Sequence, residues 1–225
     1  MANRFRKENL TPPPHTSDEM IIIQTPSGKR HTLHARLVAH LSSYFRMALN
    51  SNFKEGQTRT FHLTQHCDDD VVGIFTNWIY LRSLTWHYEI AETFVIKGMN
   101  PTVAAKAWLF GDYILAPKFQ NDMMLYISKS NLSISGPEIM QQIGPHTPEG
   151  CALEEFLVET FCFLALNVRC HDTKVMFSWL TERLTRQVAN ALVKVNLELQ
   201  ELRKWESHEP WIFNMLPIHE FYVHN

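Results

Sequence analysis

The sequence predicts an α+β protein: a small sheet covered by short helices, followed by an all-helical C-terminal extension. Three observations predict it. A β-branched run, Met20-Ile-Ile-Ile-Gln-Thr25, is followed by a Pro/Gly turn and a second short run. The apolar period then changes at His34 from two to about four. From Asn100 onward, stripes at helical spacing recur between Asn, Pro and Gly start and stop signals.

Each element follows from its residues. Met20–Thr25 has strand composition, Pro26-Ser-Gly-Lys29 supplies turn dihedrals, and Arg30–Leu33 returns as the second strand. Leu37, Leu41, Phe45 and Leu49 form a core-facing helical stripe, interrupted by Ser42 and Ser43. A serine there can cap a new helix at Tyr44, so two short helices are expected. Thr58–Leu63 reads as a third strand. Cys67-Asp-Asp-Asp70 can cap the next helix, whose inner face carries Val71, Val72, Phe75, Trp78 and Ile79. Trp86–Gly98 has no clear assignment.

Asn100-Pro101 opens a helix expected to run from Thr102 to about Leu115, and Ala116-Pro117 stops it. Lys118–Ser128 is helical again, with Phe119, Met123 and Ile127 inward. Ser135-Gly-Pro137 marks a further start. Helices are expected over Pro137–Gly144, Cys151–Val168 and His171 to about Glu206. The last carries Leu180, Leu184, Val188, Ala191, Val195, Leu199 and Leu202 at spacings of three and four. As a core helix of the extension it is ordinary; as an exposed helix it is a partner site. Trp205, Trp211 and Phe213 either cover its end or form an exposed patch, and Trp211–Asn225 has no assignment. The domain division is residues 1–19 as a disordered tail with Thr11-Pro-Pro-Pro14, 20–132 as the sheet-bearing domain, and 133–225 as the helical extension.

Composition narrows function. Of 225 residues, 45% are hydrophobic, enough for a core, and a net charge of -2 gives no general attraction to nucleic acid or anionic membrane. No secretory leader or bilayer-length apolar run occurs, and none of the 4 cysteines lies in a C-x-x-C pair. A reducing intracellular location, cytoplasm or nucleus, is expected.

Chemistry-bearing residues are few. His34 stands alone at a strand-to-helix corner, where a ring bonded to backbone outweighs catalysis. His31 and His34 point to opposite faces of a strand. His66-Cys67 and Cys170-His171 lack zinc-ligand spacing, which leaves a His/Cys metal enzyme as the weakest reading. Asp68-Asp-Asp70 fits a helix cap better than a calcium site. Glu154-Glu155 and Glu198 read as solvent-face residues. No G-x-S-x-G, phosphate loop or H-E-x-x-H occurs. No catalytic residue, metal, cofactor or small-molecule substrate is expected.

The letters Leu33-His34, Val38, Ser42, Tyr44-Phe45, Ala48-Leu49, Phe53 and Glu55 come first in one ordered pattern. Phe75, Trp78-Ile79-Tyr80, and then Tyr113, Pro117, Phe119 and Asn121 complete it. Over about residues 20–127 it resembles the BTB/POZ family, of the small single-BTB type found in fungi. Thr147-Pro-Glu-Gly150 and Leu153 resemble, more loosely, the extension that often follows the domain. Departures are Ala35 for the family's Lys, His31 for an aromatic, and Ser43 for a Pro. The tail also lacks the helical stripe of dimers that exchange an N-terminal helix.

The resemblance implies a BTB/POZ fold and a non-catalytic protein–protein interaction module. Phe53-Lys54-Glu55 falls where cullin-binding BTB domains carry a hydrophobic-x-Glu motif. An apolar anchor desolvates in a pocket while a carboxylate fixes register. The bland alternative is a Phe53 folded back onto the domain and a Glu55 that only solubilises a loop. Asp69, Val72 and Thr76 on the following helix are the remaining candidates for that surface. The expected partners are proteins, a cullin-type ubiquitin-ligase scaffold or a second copy of the chain. An oligomerising module of transcriptional or other assemblies is the alternative.

Overall fold

The computed structural model describes residues 19–84, 99–130, 132–167 and 180–203. Residues 1–18 of the tail expected over 1–19, the stretch from Trp86 to Gly98, Cys170-His171 and Trp211–Asn225 lie outside the described residues. Within them the protein is mixed α+β, mostly helical, with one three-stranded sheet.

Strands β1 (Met20–Gln24) and β2 (Arg30–His34) form the expected antiparallel hairpin, with Ile22 opposite Thr32. Gly28 takes φ 88 in the turn, a conformation that glycine adopts without a Cβ clash. Strand β3 (Thr60–His62) pairs parallel to β1 on its other side, giving the order β2-β1-β3. Ile21, Ile23, Leu33 and Phe61 point from it into the core, completely buried.

Helices α1 (Ala35–Leu41) and α2 (Ser43–Leu49) are separated at Ser42, whose extended backbone breaks the spiral. Its hydroxyl accepts from the Phe45 amide at 3.3 Å and donates to the Ile114 carbonyl at 2.5 Å. The break therefore caps α2 and ties it to the chain more than seventy residues on. The helix begins at Ser43, one residue before the expected start.

A short helix α3 (Lys54–Thr58) occupies a place that carries no helical signal in the residue pattern. It forms because Gly56 lets it sit directly on the end of α2. A Cβ on Gly56 would lie 2.2 Å from the Ala48 carbonyl oxygen. Arg59 ends it with φ 54, and its carbonyl accepts from Ile22 at 2.8 Å, so strand pairing resumes at once. The third strand is correspondingly shorter than expected.

Helix α4 (Asp69–Leu84) is capped by Asp68, which accepts from the Val71 amide at 2.9 Å. Its apolar face packs as expected: Val71, Val72, Phe75, Trp78 and Ile79 are all buried. Helices α5 (Pro101–Tyr113) and α6 (Pro117–Lys129) pack against one another and each begins with proline. Asn100 caps α5 by accepting from Thr102 at 2.7 Å. The aromatic centre joins α4, α5 and α6: Phe75 meets Phe110 and Phe119 edge-on at 5.5 and 5.1 Å. Trp78 lies over Phe119 and donates to Asp122 at 2.7 Å.

The extension continues this core. Helix α7 (Leu132–Gln142) starts five residues before Pro137, which lies within the helix and supplies no N–H there. A 3-10 turn (Gly144–His146) leads to α8 (Ala152–Asn167) and α9 (Glu182–Arg203). The last helix begins at Glu182, where Thr181 starts it by accepting from the Leu184 amide at 3.3 Å; residues 171–179 of the expected helix lie outside the described residues. Leu184 and Val188 are fully buried, while Leu180 and Ala191 pack partly buried against them. The side chains of Glu198, Leu199, Leu202, Trp205 and Phe213 lie outside the described residues. One continuous apolar cluster runs from Ile21 through Trp108 to Val188, spanning the sheet and the extension.

Candidate functional site

The turn between α2 and α3 is tightly pinned. Ser51 donates to the Ala48 carbonyl at 2.8 Å and accepts from the Phe53 amide at 3.3 Å. The Phe53 carbonyl accepts from Gln57 at 3.1 Å, and Gln57 also donates its side-chain amide to the Asn52 carbonyl at 3.3 Å. These bonds fix the backbone while the Phe53 ring stays 69% exposed. The ring does not fold back on the domain. Glu55, two residues on, is exposed as well. Met47, on α2, is a further large apolar side chain left 56% exposed. Burial, then Tyr113 and the nearby Glu55 carboxylate, raise the Tyr44 phenol above its ordinary range.

The candidates on α4 behave differently. Asp69 accepts from the Thr25 and Ser27 hydroxyls at 2.6 and 2.7 Å. Those bonds, Thr25 first, hold its carboxyl below the usual carboxylate range. It clamps the β1–β2 turn onto α4. Val72 is fully buried, which corrects its assignment to a contact surface: a side chain with no exposure meets no partner while the fold is closed. Thr76 is half-buried and donates to the Val72 carbonyl at 2.7 Å, one turn back on its own helix. The structure thus brings Phe53 and Glu55 together on one projecting turn and leaves Asp69, Val72 and Thr76 on another element.

The described histidines and cysteines have ordinary structural surroundings. His34 bonds through Nδ1 to the Tyr80 hydroxyl at 2.9 Å, so its partner is a side chain and not the expected backbone. Cys67 and Cys162 are buried and Cys151 is half-buried. Burial raises all three thiols, Cys162 to about 11, so they carry their proton at neutral pH. Among the described residues no group of three or more His, Cys, Asp or Glu stands close enough to share a metal ion.

Two features escaped the sequence. The first is Glu154, read as a solvent-face residue but only 1% exposed. Arg183 reaches it at 2.9 Å, Gln187 donates to it at 3.1 Å, and the Gly150 amide donates at 2.7 Å. A signal existed: Glu154 shares a helical face with Leu157, Val158 and Phe161, three, four and seven residues on. The second is a cleft of about 860 Å³ between the sheet-bearing half and the extension, bordered by Ser27, His66, Asp68, Lys106, Ile143 and His146. Lys106 meets Asp68 at 3.6 Å on its border, both from the sheet-bearing half. No local pattern announces it, because its walls come from distant parts of the chain.

The fold is mixed α+β, and among the described residues Phe53 is the most exposed of the large hydrophobic side chains. No protein-family model and no curated protein matches the chain. Among the described residues no helix is long and apolar enough to cross a membrane.

Proposed function

We propose that this chain is a non-catalytic protein–protein interaction module of the BTB/POZ type. In the sharper form of the reading it is an adaptor for a cullin-type ubiquitin ligase, working inside the cell. The observation that carries it is Phe53, exposed on a turn pinned by four hydrogen bonds, with the Glu55 carboxylate beside it. Little conformational entropy is lost when such an anchor enters a pocket. Burying the ring contributes about 1.5–3 kcal/mol, roughly ten- to a hundredfold in affinity. The element order among the described residues also supports the reading: a hairpin, two short helices split at Ser42, the short helix α3, a strand returning parallel to the first, then further helices.

Capture of the purified chain by a cullin N-terminal region is the test. Binding by wild type that is abolished in a Phe53→Ala, Glu55→Lys double variant supports the adaptor. Absence of wild-type binding removes it.

One observation favours the oligomerising alternative. Val193 and Leu197, one turn apart on α9, are 59% and 57% exposed. Sedimentation at rising concentration separates the two readings: a dimer lost in Val193→Glu favours self-association, and a monomer throughout excludes it.

A further inference from the structure

The chain leaves helix α5 through Leu115 in a conformation that suits glycine and not leucine. Leu115 takes φ 52, in the left-handed region. Its amide donates to the Asp112 carbonyl at 3.0 Å, and the Ala116 amide donates to the Gly111 carbonyl at 2.8 Å. That pair of bonds closes a helix at a position usually held by glycine, because a Cβ crowds the neighbouring carbonyl oxygen there. The fold gains little from the leucine. The residue is 46% exposed and stands outside the apolar cluster. A strained backbone that carries an exposed apolar side chain points to a use for that side chain beyond folding.

The bonds around Leu115 join it to the docking turn. Its carbonyl accepts from the Ser43 amide at 3.1 Å, at the start of α2. Arg46 donates to the Ser43 hydroxyl at 2.8 Å, and Arg46, Met47 and Asn50 are exposed along the outer face of that helix. At its other end Ser51 fixes the Phe53 turn to the Ala48 carbonyl. Six large apolar residues are exposed among the described residues, and three of them, Leu115, Met47 and Phe53, attach to this one seven-residue helix. A helix of that length spans about 10 Å. A standard protein contact takes up about 20–30 residues a side. A body seated on Phe53 therefore covers α2 and reaches Leu115.

We propose that Leu115 is a specificity-determining contact residue: Leu115, Met47 and Phe53 form one row of apolar anchors across α2, received by an apolar groove of the protein partner that takes Phe53. The inference rests on the reading of Phe53 as the docking anchor. Side chains exposed on a convex helix face need a concave counterpart, and a leucine, a methionine and a phenylalanine need an apolar floor in it. Arg46, Lys54, Glu55 and Asp112 are exposed beside the row, so the rim of that groove carries both signs of charge. Glycine at position 115 would relax the backbone and lose the anchor. The strain is retained because the contact uses the side chain.

Two substitutions separate contact from folding. Leu115→Gly and Leu115→Asn both suit the left-handed backbone, and both remove the apolar side chain. Each is measured in the full chain for thermal melting and for binding to a cullin N-terminal region, beside wild type and Phe53→Ala. The expected result is a melting temperature at or above that of wild type, together with binding weakened about five- to tenfold. Leu115 variants that bind as wild type does overturn the row; where Phe53→Ala has meanwhile lost binding, the Phe53 reading still stands. A melting temperature lowered in both variants also overturns it, because the leucine then serves the fold. Absence of wild-type binding removes the Phe53 reading and the row with it.

Discussion

Arg183 reaches the Glu154 carboxylate at 2.9 Å, and that carboxylate is almost wholly removed from solvent. The pair joins α8 to α9, with Gly150 and Gln187 filling the other oxygen. Removing one partner leaves a buried charge uncompensated, which costs about 3 kcal/mol or more. Arg183→Met should therefore lower stability by that order in chemical denaturation. Glu154→Gln, which keeps hydrogen-bonding capacity, should cost less. A double variant less damaging than the sum of the singles would show the coupling; strict additivity would show that the two side chains do not interact.

Gly56 sits where any Cβ would strike the Ala48 carbonyl oxygen at 2.2 Å. Backbone cannot give way as a flexible side chain can. Gly56→Ala should destabilise the protein by about 1–3 kcal/mol, as overpacking does. It should also displace α3 and the Phe53 turn fixed to it. Equilibrium unfolding measures the first effect, and chemical-shift changes confined to residues 48–59 report the second. A variant as stable as wild type would mean that α3 does not rest on α2.

The legible parts of this fold were those governed by neighbours in sequence. The hairpin, the Ser42 break, the Asn100-Pro101 start and the inner face of α4 all follow from local period and capping. Phe53 and Glu55 stand out only by resemblance to the hydrophobic-x-Glu motif of cullin-binding BTB domains, and what the structure adds is that both side chains are exposed. Helix α3 was hidden because its stability comes from the close approach that Gly56 allows, not from propensity. Val72 was assigned to a surface and to the core stripe at once, and burial resolves this in favour of the stripe. Glu154 was misread because α8 is apolar on nearly every side, so charge alone did not mark the outside. The cleft depends on loops brought together from residues far apart, which no local pattern encodes.

Acid should weaken the fold through His31 before the carboxylates titrate. Burial first, then Lys29, lower the His31 imidazole below its ordinary value, against a smaller pull from Asp69, and its Nε2 is buried without a partner. A folded-state pKa below the unfolded one stabilises the protein fully above about pH 6.5 and loses that contribution as pH falls toward the folded value. Asp69, lowered by Thr25 and Ser27, follows the same sign at lower pH, below about 3.8. Thermal melting of wild type should fall as pH drops below about 6.5, and the slope should flatten in His31→Gln. An identical slope in that variant would place the acid sensitivity elsewhere.

Phe53 and Val72 offer a clean contrast between surface and core. Phe53 is 69% exposed, so Phe53→Ala removes little buried area and should change stability by no more than about 0.5 kcal/mol. Val72 is fully enclosed, so Val72→Ala leaves a cavity and should cost about 2 kcal/mol. Partner binding should show the reverse order once measured below the melting temperature of both variants. Phe53→Ala should weaken it at least tenfold, while Val72→Ala, still folded, should bind nearly as wild type does. Denaturation and affinity measured side by side decide the matter: if Val72→Ala lost binding at full helicity while Phe53→Ala kept it, the contact face would lie on α4 and not on the turn.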